Sequence, residues 1–458
     1  MLRLLRSAAS ALVTGATTLA LLATTACNAK DELLAPQQPG VISPGNVQSP
    51  IAAEGLYNGA VGQFKQGLLG GNGNQETIWQ FTGLFTDEYR SSDTFSQRND
   101  ADQRVTQTQD AVLSPLYITL QQTRGFAHNA LLALQQFEPT TSNTHQAEMY
   151  FVIAFAQIQL GEDFCNGIPL SYTIGGIPQY TDPMTDSAVF ALAAAQADSG
   201  LALATATDAA TTQVRNALTI AKGRAQLDLG QAAAAAATVA SVPASFQYAG
   251  NYSQTTNDNG WWIMTTSSKR YSVGDSADAT GTITNALPFV SAKDPRVPTT
   301  RIGNGFDSTT PYFQQGIWNR DDPVAIVDGL DGQLIQAEAK LRGGDIGGMM
   351  SILNALRATP PTQGIFKLAS TLSPLATPGS QSAAQSLFFR EKAFWTFGRG
   401  QRLGDLRRQV RQYALPMNQV YEVGSFFKNG QYGTLTQFPV PDSERSNPNF
   451  HGCLDTNP

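Results

Sequence analysis

The stretch Phe388–Arg408 reads FFREKAFWTFGRGQRLGDLRR and is the part of this 458-residue sequence that says most about its fold. It lies within a helical pattern that runs from Ala383 to Tyr413. Gly400 and Gly404 weaken that pattern, because a Gly inside a helix costs up to about 1 kcal/mol relative to Ala. We therefore expect a helical segment that loosens around these two glycines.

Six further helical patterns occupy much of the chain. They run over Ile51–Leu68, Val112–Gln136, Gln146–Leu160, Ser187–Ala206, Val214–Ala240 and Gly332–Ala358. Two long stretches between them, Gly70–Asp110 and Gln247–Asp322, are rich in Gly, Asn, Asp, Ser, Thr and Pro. Connections of this length usually carry function, so we expect ligand-binding segments there. The sequence has no low-complexity linker within 51–458, which predicts one continuous domain.

A short pattern recurs at three predicted helix ends. It reads AQIQLG at 156–161, AQLDLG at 225–230 and AKLRGG at 339–344. Ala lets a neighbouring helix approach, Ile or Leu fills the gap, and Gly supplies the left-handed residue that ends a helix. A new helix begins soon after the second and third copies, as in tetratricopeptide repeats. The alternative is that the pattern is simply a common way to end a buried helix.

The N-terminus has the layout of an export signal, with two basic residues before an apolar run, Ala8–Ala26. The apolar centre of this run is shorter than the roughly 20 residues that a membrane-spanning helix needs. We therefore predict a signal peptide over 1–26 and no transmembrane helix.

Residues 22–27 read LATTAC and resemble the lipobox of bacterial lipoproteins, with Thr24 where Leu is usual. We predict lipidation of Cys27, followed by a Pro-spaced tether over 27–50. Ordinary secretion, with cleavage near Ala26 or Ala29, is the alternative.

The charge and the composition of the chain indicate which kinds of partner it is suited to bind. Loss of the signal peptide leaves 28 basic and 36 acidic residues, a net charge of −8, which argues against a nucleic-acid partner. Charged residues make up 14% of the chain, below an average of about 25%. A neutral surface rich in hydrogen-bonding groups suits uncharged polar ligands, although a lineage-wide habit of composition explains it equally well.

Two cysteines remain once Cys27 is assigned to lipid, Cys165 and Cys453. Exported proteins mature where disulfides persist, so we expect these two to pair. Two free buried thiols or a zinc site are the alternatives. For zinc, Cys453 has only His451 beside it, and Cys165 has no His nearby in the sequence.

The stretch Phe388–Arg408 resembles the SusD/RagB family of nutrient-binding outer-membrane lipoproteins. Members of that family have an Arg-Glu pair, an aromatic-rich segment, a Gly and an Arg-x-x-Asp-Leu-Arg-Arg ending. The matching residues are Arg390, Glu391, Phe394, Trp395, Gly398, Arg402, Asp405, Leu406, Arg407 and Arg408. Four more segments resemble family motifs in the required order, and these are Gly161–Leu170, Lys293–Arg296, Leu334–Ala339 and Phe438–Asn449.

This resemblance implies an all-α fold, the SusD-like fold, in which tetratricopeptide-like helix pairs carry a loop-rich insertion. It also implies a lipid-anchored protein, exposed on the cell outer membrane, that captures a glycan or an oligopeptide. The implied partner is a SusC-like, TonB-dependent outer-membrane transporter. A non-catalytic helical-repeat scaffold and a surface glycan hydrolase are the alternatives from other functional classes.

The sequence offers little for catalysis. It contains three His, at 128, 145 and 451, and none has metal-binding or nucleophile-activating spacing. The stretch Gly67–Gly73 lacks the Lys-Ser/Thr of a phosphate loop. Acidic pairs such as Asp87-Glu88 are too common to indicate a glycosidase. We therefore predict no enzyme activity, no cofactor and no metal site.

The family resemblance places ligand contacts in the two long loop regions, where aromatic faces offer area for stacking of sugars or peptide side chains. The candidates are Trp79, Tyr89, Trp261, Trp262, Tyr312 and Trp318, with Asp87, Arg90, Ser92 and Asp93 as polar contacts. We expect Trp318→Ala to weaken binding while stability changes little. The alternative for each aromatic residue is that it anchors its loop to the core, and this alternative is strongest for Trp79.

Overall fold

The computed structural model describes residues 47–72, 76–174, 177–360 and 371–458, so Cys27 and the predicted signal peptide lie outside the described residues. Thirteen α-helices lie within those ranges. They are α1 (Pro50–Leu69), α2 (Ile78–Phe85), α3 (Ser96–Asp102), α4 (Leu113–Phe137), α5 (Asn143–Asp163), α6 (Asp186–Leu203), α7 (Ala209–Asp228), α8 (Ala232–Val239), α9 (Gly260–Trp262), α10 (Gly329–Arg342), α11 (Ile346–Ala358), α12 (Gln381–Trp395) and α13 (Arg402–Arg411). The predicted all-α class is confirmed.

Short antiparallel strand pairs tie the loops together. They are β1 (Tyr89–Ser91) with β7 (Tyr271–Val273), β2 (Ile168–Pro169) with β5 (Pro183–Met184), β3 (Tyr172–Ile174) with β4 (Ile177–Gln179), β6 (Gln247–Gly250) with β12 (Val324–Asp328), β8 (Ala277–Asp278) with β9 (Gly281–Thr282), and β10 (Thr299–Asn304) with β11 (Pro311–Gln315). The β1–β7 pair joins the first long loop region to the second.

Successive helices pack side by side, as a tetratricopeptide-like arrangement requires. α1 packs on α4, α4 on α5, α5 on α6, and α6 on α7, while α8 and α11 flank α10. Local capping fixes several of the helix starts. Thr77 and Gln80 form a capping box at α2, and Asp328 and Asp331 do the same at α10. Within the described ranges, no helix combines the length and the apolar character needed to cross a bilayer.

Two of the three recurring glycines end helices as predicted. Gly230 and Gly344 have φ values of 76° and 75°, the left-handed conformation that Gly tolerates best. The prediction was wrong for Gly161, which lies inside α5. A Cβ at Gly161 would stand 2.7 Å from the Phe190 ring, so this glycine permits close packing of α5 on α6.

The stretch Phe388–Arg408 forms parts of two helices rather than one. Gly398 and Gly400, with φ of 70° and 62°, break the chain between α12 and α13. Gly404 stays inside α13, where a Cβ would meet the carboxylate of Glu162 at 2.8 Å. At Gly400 the helix therefore breaks completely, which goes beyond the expected loosening. At Gly404 the helix is not loosened, and the glycine instead allows α13 to pack closely on α5.

Arg408 of α13 lies at the centre of a buried ionic network. Its guanidinium pairs with Asp228 of α7 at 3.0 Å, Glu338 of α10 at 3.1 Å and Asp405 at 2.5 Å. Lys392 of α12 lies 2.7 Å from the same Asp405. Arg408 is only 2% exposed, so these charges compensate one another out of contact with water.

Two neighbouring arginines extend the network to other elements. Arg407 donates to backbone carbonyls at the end of α5 and pairs with Asp186 of α6 at 2.6 Å. Arg402 pairs with Asp87, between α2 and β1, at 2.8 Å. We call this set the α13 network, and it comprises Lys392, Arg402, Asp405, Arg407 and Arg408 with their partners Asp87, Asp186, Asp228 and Glu338.

The structure contains the expected disulfide between Cys165 and Cys453. Their Cα atoms are 5.9 Å apart, although 288 positions separate them in the sequence. Cys165 lies two residues past the end of α5, and its backbone N–H donates to the carbonyl of Phe438 at 2.9 Å. The bond therefore fastens the C-terminal segment to the end of a central helix.

Candidate functional site

Most of the ligand contacts expected from the sequence are core residues. Eight of the ten are at most 4% exposed, and these are Trp79, Asp87, Tyr89, Ser92, Asp93, Trp261, Tyr312 and Trp318. A side chain without an exposed face cannot stack on a ligand. These residues therefore stabilise the fold, which corrects the expectation that Trp318→Ala would change stability little.

The aromatic members pack against one another. The rings of Tyr89 and Trp261 stack at 5.0 Å between centroids, and those of Trp261 and Trp318 at 5.4 Å. The Tyr312 hydroxyl donates to the backbone carbonyl of Tyr271 at 2.9 Å. Trp79 lies under Gly400, where an added Cβ would stand 2.1 Å from its indole.

The buried polar candidates are also fully engaged in contacts within the protein. Asp87 holds Arg402, and the Ser92 hydroxyl donates to the backbone carbonyl of Lys269 at 2.7 Å. Asp93 accepts from Arg98 at 2.9 Å and from Arg270 at 2.6 Å. These contacts consume the hydrogen-bonding capacity that the sequence assigned to a ligand.

Arg90 and Trp262 are only partly buried, so ligand contact by either stays a prediction. Arg90 donates to the backbone carbonyls of Asp275 and Ala277, at 2.5 and 3.1 Å. The guanidinium of Arg320 lies 5.2 Å from the Trp262 ring centroid. Arg90 belongs to β1 and Trp262 to α9.

Two exposed aromatic rings mark a different surface. Phe95 is 50% and Phe306 46% exposed, and each belongs to one of the two long loop regions. The Arg270 guanidinium lies between them, 3.9 Å from the centroid of the Phe306 ring and 5.1 Å from that of Phe95. We call these three residues the Phe95–Phe306 surface.

Backbone hydrogen bonds hold this surface in place. The N–H of Phe306 donates to Lys269, that of Asp307 to Ser92, and that of Ser92 to Arg270, each at 3.0 Å. The loops approach so closely at Gly305 that a Cβ would stand 2.2 Å from that of Ser92. The two phenyl rings are therefore presented on a fixed backbone frame.

Charges at this surface are balanced locally. Asp93 is shared by Arg98 and Arg270, and Asp307 lies 2.8 Å from Lys428. Burial alone would raise the pKa of Asp307, but hydrogen bonds from Lys428 and Thr310 lower it to about 2. Both carboxylates are held by cations, so this surface offers flat apolar faces and hydrogen-bonding groups rather than an acid and base pair.

The sequence reasoning missed Phe95 and Phe306 because it favoured Trp and Tyr. A usable signal was present in their neighbours. Phe95 stands in DTFSQ (93–97), and Phe306 in NGFDSTT (304–310), each a lone aromatic residue in a wholly polar setting. Trp261 and Trp262, by contrast, precede Ile263 and Met264, a run that indicates a core.

No metal centre is evident in the part of the chain that the structure describes. Within it, no group of three or more His, Cys, Asp or Glu side chains is arranged to hold a metal ion.

Comparisons with known proteins identify the fold. No protein-family model matches the sequence, and no curated protein matches it either. Solved structures do match, each covering most of both chains. A SusD-like carbohydrate binding protein from Bacteroides vulgatus superposes with a TM-score of 0.61 at 12% identity, covering 88% of this chain and 97% of its own.

Two further structures give the same result. A SusD superfamily protein from Parabacteroides distasonis has a TM-score of 0.58 at 15% identity, with 89% and 99% coverage. A SusD/RagB family protein from Bacteroides thetaiotaomicron has a TM-score of 0.56 at 12% identity, with 86% and 94% coverage. The chain therefore has the SusD-like fold, as its sequence motifs predict.

Proposed function

We propose that this chain is a non-catalytic binding protein of the SusD type whose ligand rests on the Phe95–Phe306 surface. The observation that carries the proposal is the pair of half-exposed phenyl rings, fixed on either side of Arg270 where the two longest loop regions meet. Exposure of large aromatic faces to water is unfavourable, and neighbouring exposed aromatic residues often mark a surface that binds a partner. The fold likeness to a protein named as carbohydrate binding supports a glycan as that partner.

The balanced charges of this surface favour an uncharged, polar ligand. Sugar rings can lie flat on the phenyl faces while exposed groups such as Thr94 and Asn304 bond their hydroxyls. An anionic polymer would find Arg270 already paired with Asp93. A neutral oligosaccharide therefore fits better than an acidic one, and an oligopeptide is an outcome for the test to separate.

Calorimetric titration of neutral oligosaccharides and of oligopeptides tests this proposal. Phe95→Ala and Phe306→Ala should each weaken binding of the bound class by about tenfold or more, equivalent to roughly 1.4 kcal/mol. Tyr180→Ala is the matched control, because Tyr180 is an aromatic residue of similar exposure, 43%, elsewhere on the protein. If the double Phe variant bound as tightly as the unsubstituted protein, the ligand site would lie elsewhere.

We further propose that the protein is anchored through lipid on Cys27 at the outer membrane and delivers its ligand to a TonB-dependent, SusC-like transporter. A stripe on α4 supports a protein partner. Ile118, Phe126 and Leu132 are 38–47% exposed there. The helix contains no acidic residue and no Lys, its Arg124 is buried, and burial lowers the pKa of its His128. An uncharged apolar stripe of this kind suits a permanent protein contact.

Copurification from the native membrane in mild detergent tests the partner. The transporter should accompany the unsubstituted protein, and Phe126→Asp should reduce its recovery, because a carboxylate would be buried unpaired at the contact. Leu454→Asp, at a site 56% exposed but far from α4 in sequence, is the control. Equal recovery with Phe126→Asp would remove this stripe from the contact, and no transporter at all would reject the delivery role.

Mass spectrometry of membrane-extracted protein tests the anchor. The mature chain should begin at Cys27 with several acyl chains, since a single chain holds a protein only marginally. A species that begins at Lys30, or an unmodified Cys27, would reject lipidation.

A further inference from the structure

Asn429 and Gly430 form the tip of a short hairpin in the C-terminal segment. The N–H of Phe426 donates to the carbonyl of Gly430 at 3.1 Å, and the N–H of Asn429 donates to the carbonyl of Phe426 at 2.9 Å. Asn429 has φ of 104°, in the left-handed region that Asn enters more readily than most residues with a Cβ. Both tip residues are exposed. We call residues 424–432 the Asn429 hairpin.

The side-chain amide of Asn429 lies against the backbone nitrogen of the next residue. The Gly430 N–H donates to Asn429 Oδ1 at 3.0 Å, and this is its only acceptor in the part of the chain that the structure describes. A C=O bond is about 1.23 Å long, so the Gly430 nitrogen lies within about 4.2 Å of the Asn429 Cγ. Gly430 has no Cβ to hinder a closer approach. The nitrogen is therefore placed to attack Cγ.

This attack converts asparagine without an enzyme. The Gly430 nitrogen forms a bond to Cγ of Asn429, and the bond between Cγ and Nδ2 breaks. Nδ2 leaves as ammonia and takes up the proton that the Gly430 nitrogen loses. Water then opens the resulting succinimide at either of its two carbonyls, which gives aspartate or isoaspartate. The reaction therefore needs no reagent other than water.

Other Asn-Gly pairs in the chain allow the effect of this geometry to be judged. They lie at 58–59, 72–73, 166–167, 259–260 and 304–305, and Gly73 lies outside the described residues. In the last pair, the Gly305 N–H donates to the carbonyl of Thr310 at 2.9 Å. The Asn304 amide donates to the carbonyl of Ser308 at 2.8 Å. Both groups that would react are thus engaged with other partners.

Three more described pairs are constrained in other ways. Asn58 lies inside α1, where the helix fixes the backbone of the next residue. The Asn166 side chain donates to Asp455 at 2.7 Å and accepts from the N–H of Asp186 at 2.8 Å. Asn259 is buried, and its Oδ1 caps α9. Of the five described pairs, the pair at 429–430 alone combines exposure with a Gly nitrogen that is bonded to the Asn side chain.

We infer that Asn429 is a site of spontaneous deamidation, and that it converts while the other described Asn-Gly pairs persist. Either product places a new carboxylate beside Lys428, whose Nζ donates to the carbonyl of Asp93 at 2.6 Å and lies 2.8 Å from Asp307. Isoaspartate also adds a methylene to the main chain of the hairpin. The modification therefore loosens the Asn429 hairpin where it joins the two long loop regions. This inference does not depend on the proposed ligand.

Site-resolved mass spectrometry of the folded full chain tests the site. Incubation in mildly alkaline buffer favours loss of the proton from the attacking nitrogen, and digestion at acidic pH then stops the reaction. Conversion at Asn429 should be at least about tenfold faster than at 58, 166, 259 and 304, which corresponds to a barrier lower by roughly 1.4 kcal/mol. Comparable conversion at Asn304, which is also exposed, would overturn the inference.

The same incubation in urea, with the disulfide reduced, separates geometry from sequence. All five pairs have Gly as the second residue, and unfolding removes the contacts that distinguish them. Their rates should therefore converge to within about threefold of one another. If Asn429 kept its tenfold advantage in urea, the folded geometry would not be its cause and the inference would fail.

Asn429→Gly isolates the consequence of the modification. Gly adopts φ of 104° readily and carries no amide, so the hairpin is retained but cannot deamidate. Incubation should accelerate hydrogen exchange at the Phe426 amide at least about threefold in the unsubstituted protein, because the product disturbs the hydrogen bond to Gly430. Asn429→Gly should show no acceleration. An equal response of the two proteins would overturn the loosening of the hairpin.

Discussion

The α13 network and the Phe95–Phe306 surface make opposite use of arginine. In the network, Arg408 is 2% exposed and surrounded by three carboxylates that come from α7, α10 and α13. At the surface, Arg270 shares one carboxylate and otherwise supports two half-exposed rings. The first arrangement holds helices together, and the second holds a surface in shape for something outside the protein.

This difference explains why the most recognisable sequence is not the binding site. A buried charge is costly unless its partner of opposite charge is in place. Few substitutions are therefore compatible with the charged residues of the stretch Phe388–Arg408. A ring on a loop needs only a fixed backbone and an open face. Resemblance to family motifs therefore identifies the buried residues that hold the helices together. The candidate binding residues are recognised only by their exposure in the folded chain.

The largest expected effect comes from breaking the network. Arg408→Leu should lower the free energy of unfolding by about 3–5 kcal/mol, because it leaves Asp228, Glu338 and Asp405 buried without their cation. Urea denaturation measures this. Arg445→Leu removes a 70%-exposed arginine that pairs with Asp442 and should cost at most about 1 kcal/mol. Similar losses in both variants would erase the contrast between buried and exposed arginines.

A smaller loss is expected at the helix break beside the network. Gly400→Ala should destabilise the protein by about 2–3 kcal/mol, because Ala disfavours φ of 62° and its Cβ would overlap Trp79. Gly59→Ala is the control within α1, where the added methyl meets open space. That substitution should stabilise the protein by about 0.5–1 kcal/mol. A harmless Gly400→Ala would show that the break does not depend on glycine.

The buried framework should also respond to pH. Burial raises the pKa of Glu88 to about 8, whereas an exposed Glu titrates near about 4.3. Between these pH values the folded state keeps a proton on Glu88 that the unfolded chain releases. The free energy of unfolding is therefore highest below about pH 4 and falls as the pH rises towards 8. Burial also raises the pKa of Glu422, to about 8, and of Asp102, to about 7, which adds to the same decline.

Glu88→Gln isolates the share of Glu88. We expect it to be close in stability to the unsubstituted protein near pH 5 and to be more stable by about 3–4 kcal/mol at pH 8, since Gln never ionises. Thermal unfolding across this range measures the difference. Parallel curves for the two proteins would mean that Glu88 titrates normally.

The smallest stability effect is expected at the exposed surface. Phe95→Ala should change the free energy of unfolding by less than about 1 kcal/mol, because the ring is half exposed and its removal costs mainly the contacts with Arg98 and Arg270. Trp318→Ala, which removes a buried ring, should cost about 3–5 kcal/mol. Denaturation of both variants sharpens the comparison, and a large loss in Phe95→Ala would place that ring among the structural residues.

The sequence predicts the fold more completely than it predicts the candidate binding site. Helix periodicity located the long helices within a few residues, and the motifs around Arg402–Arg408 indicated the SusD-like fold. Gly161 was misread because a glycine that ends a helix and one that admits a neighbour look alike in sequence. The loop aromatics were misread for a related reason. Trp261 and Trp318 belong to a long stretch that is rich in polar residues, and only the folded chain shows that they stack on each other.

The Cys165–Cys453 disulfide also decides how the protein carries mechanical load. When the chain is pulled between its N-terminus and its C-terminus, tension passes from the end of α5 across the bond to Cys453. The residues between Cys165 and Cys453, which include the second long loop region and α13, bear none of it. Reduction of the bond would release roughly 1,000 Å of extended chain at about 3.6 Å per residue. In single-molecule pulling, the oxidised protein should therefore lengthen by far less than the reduced one.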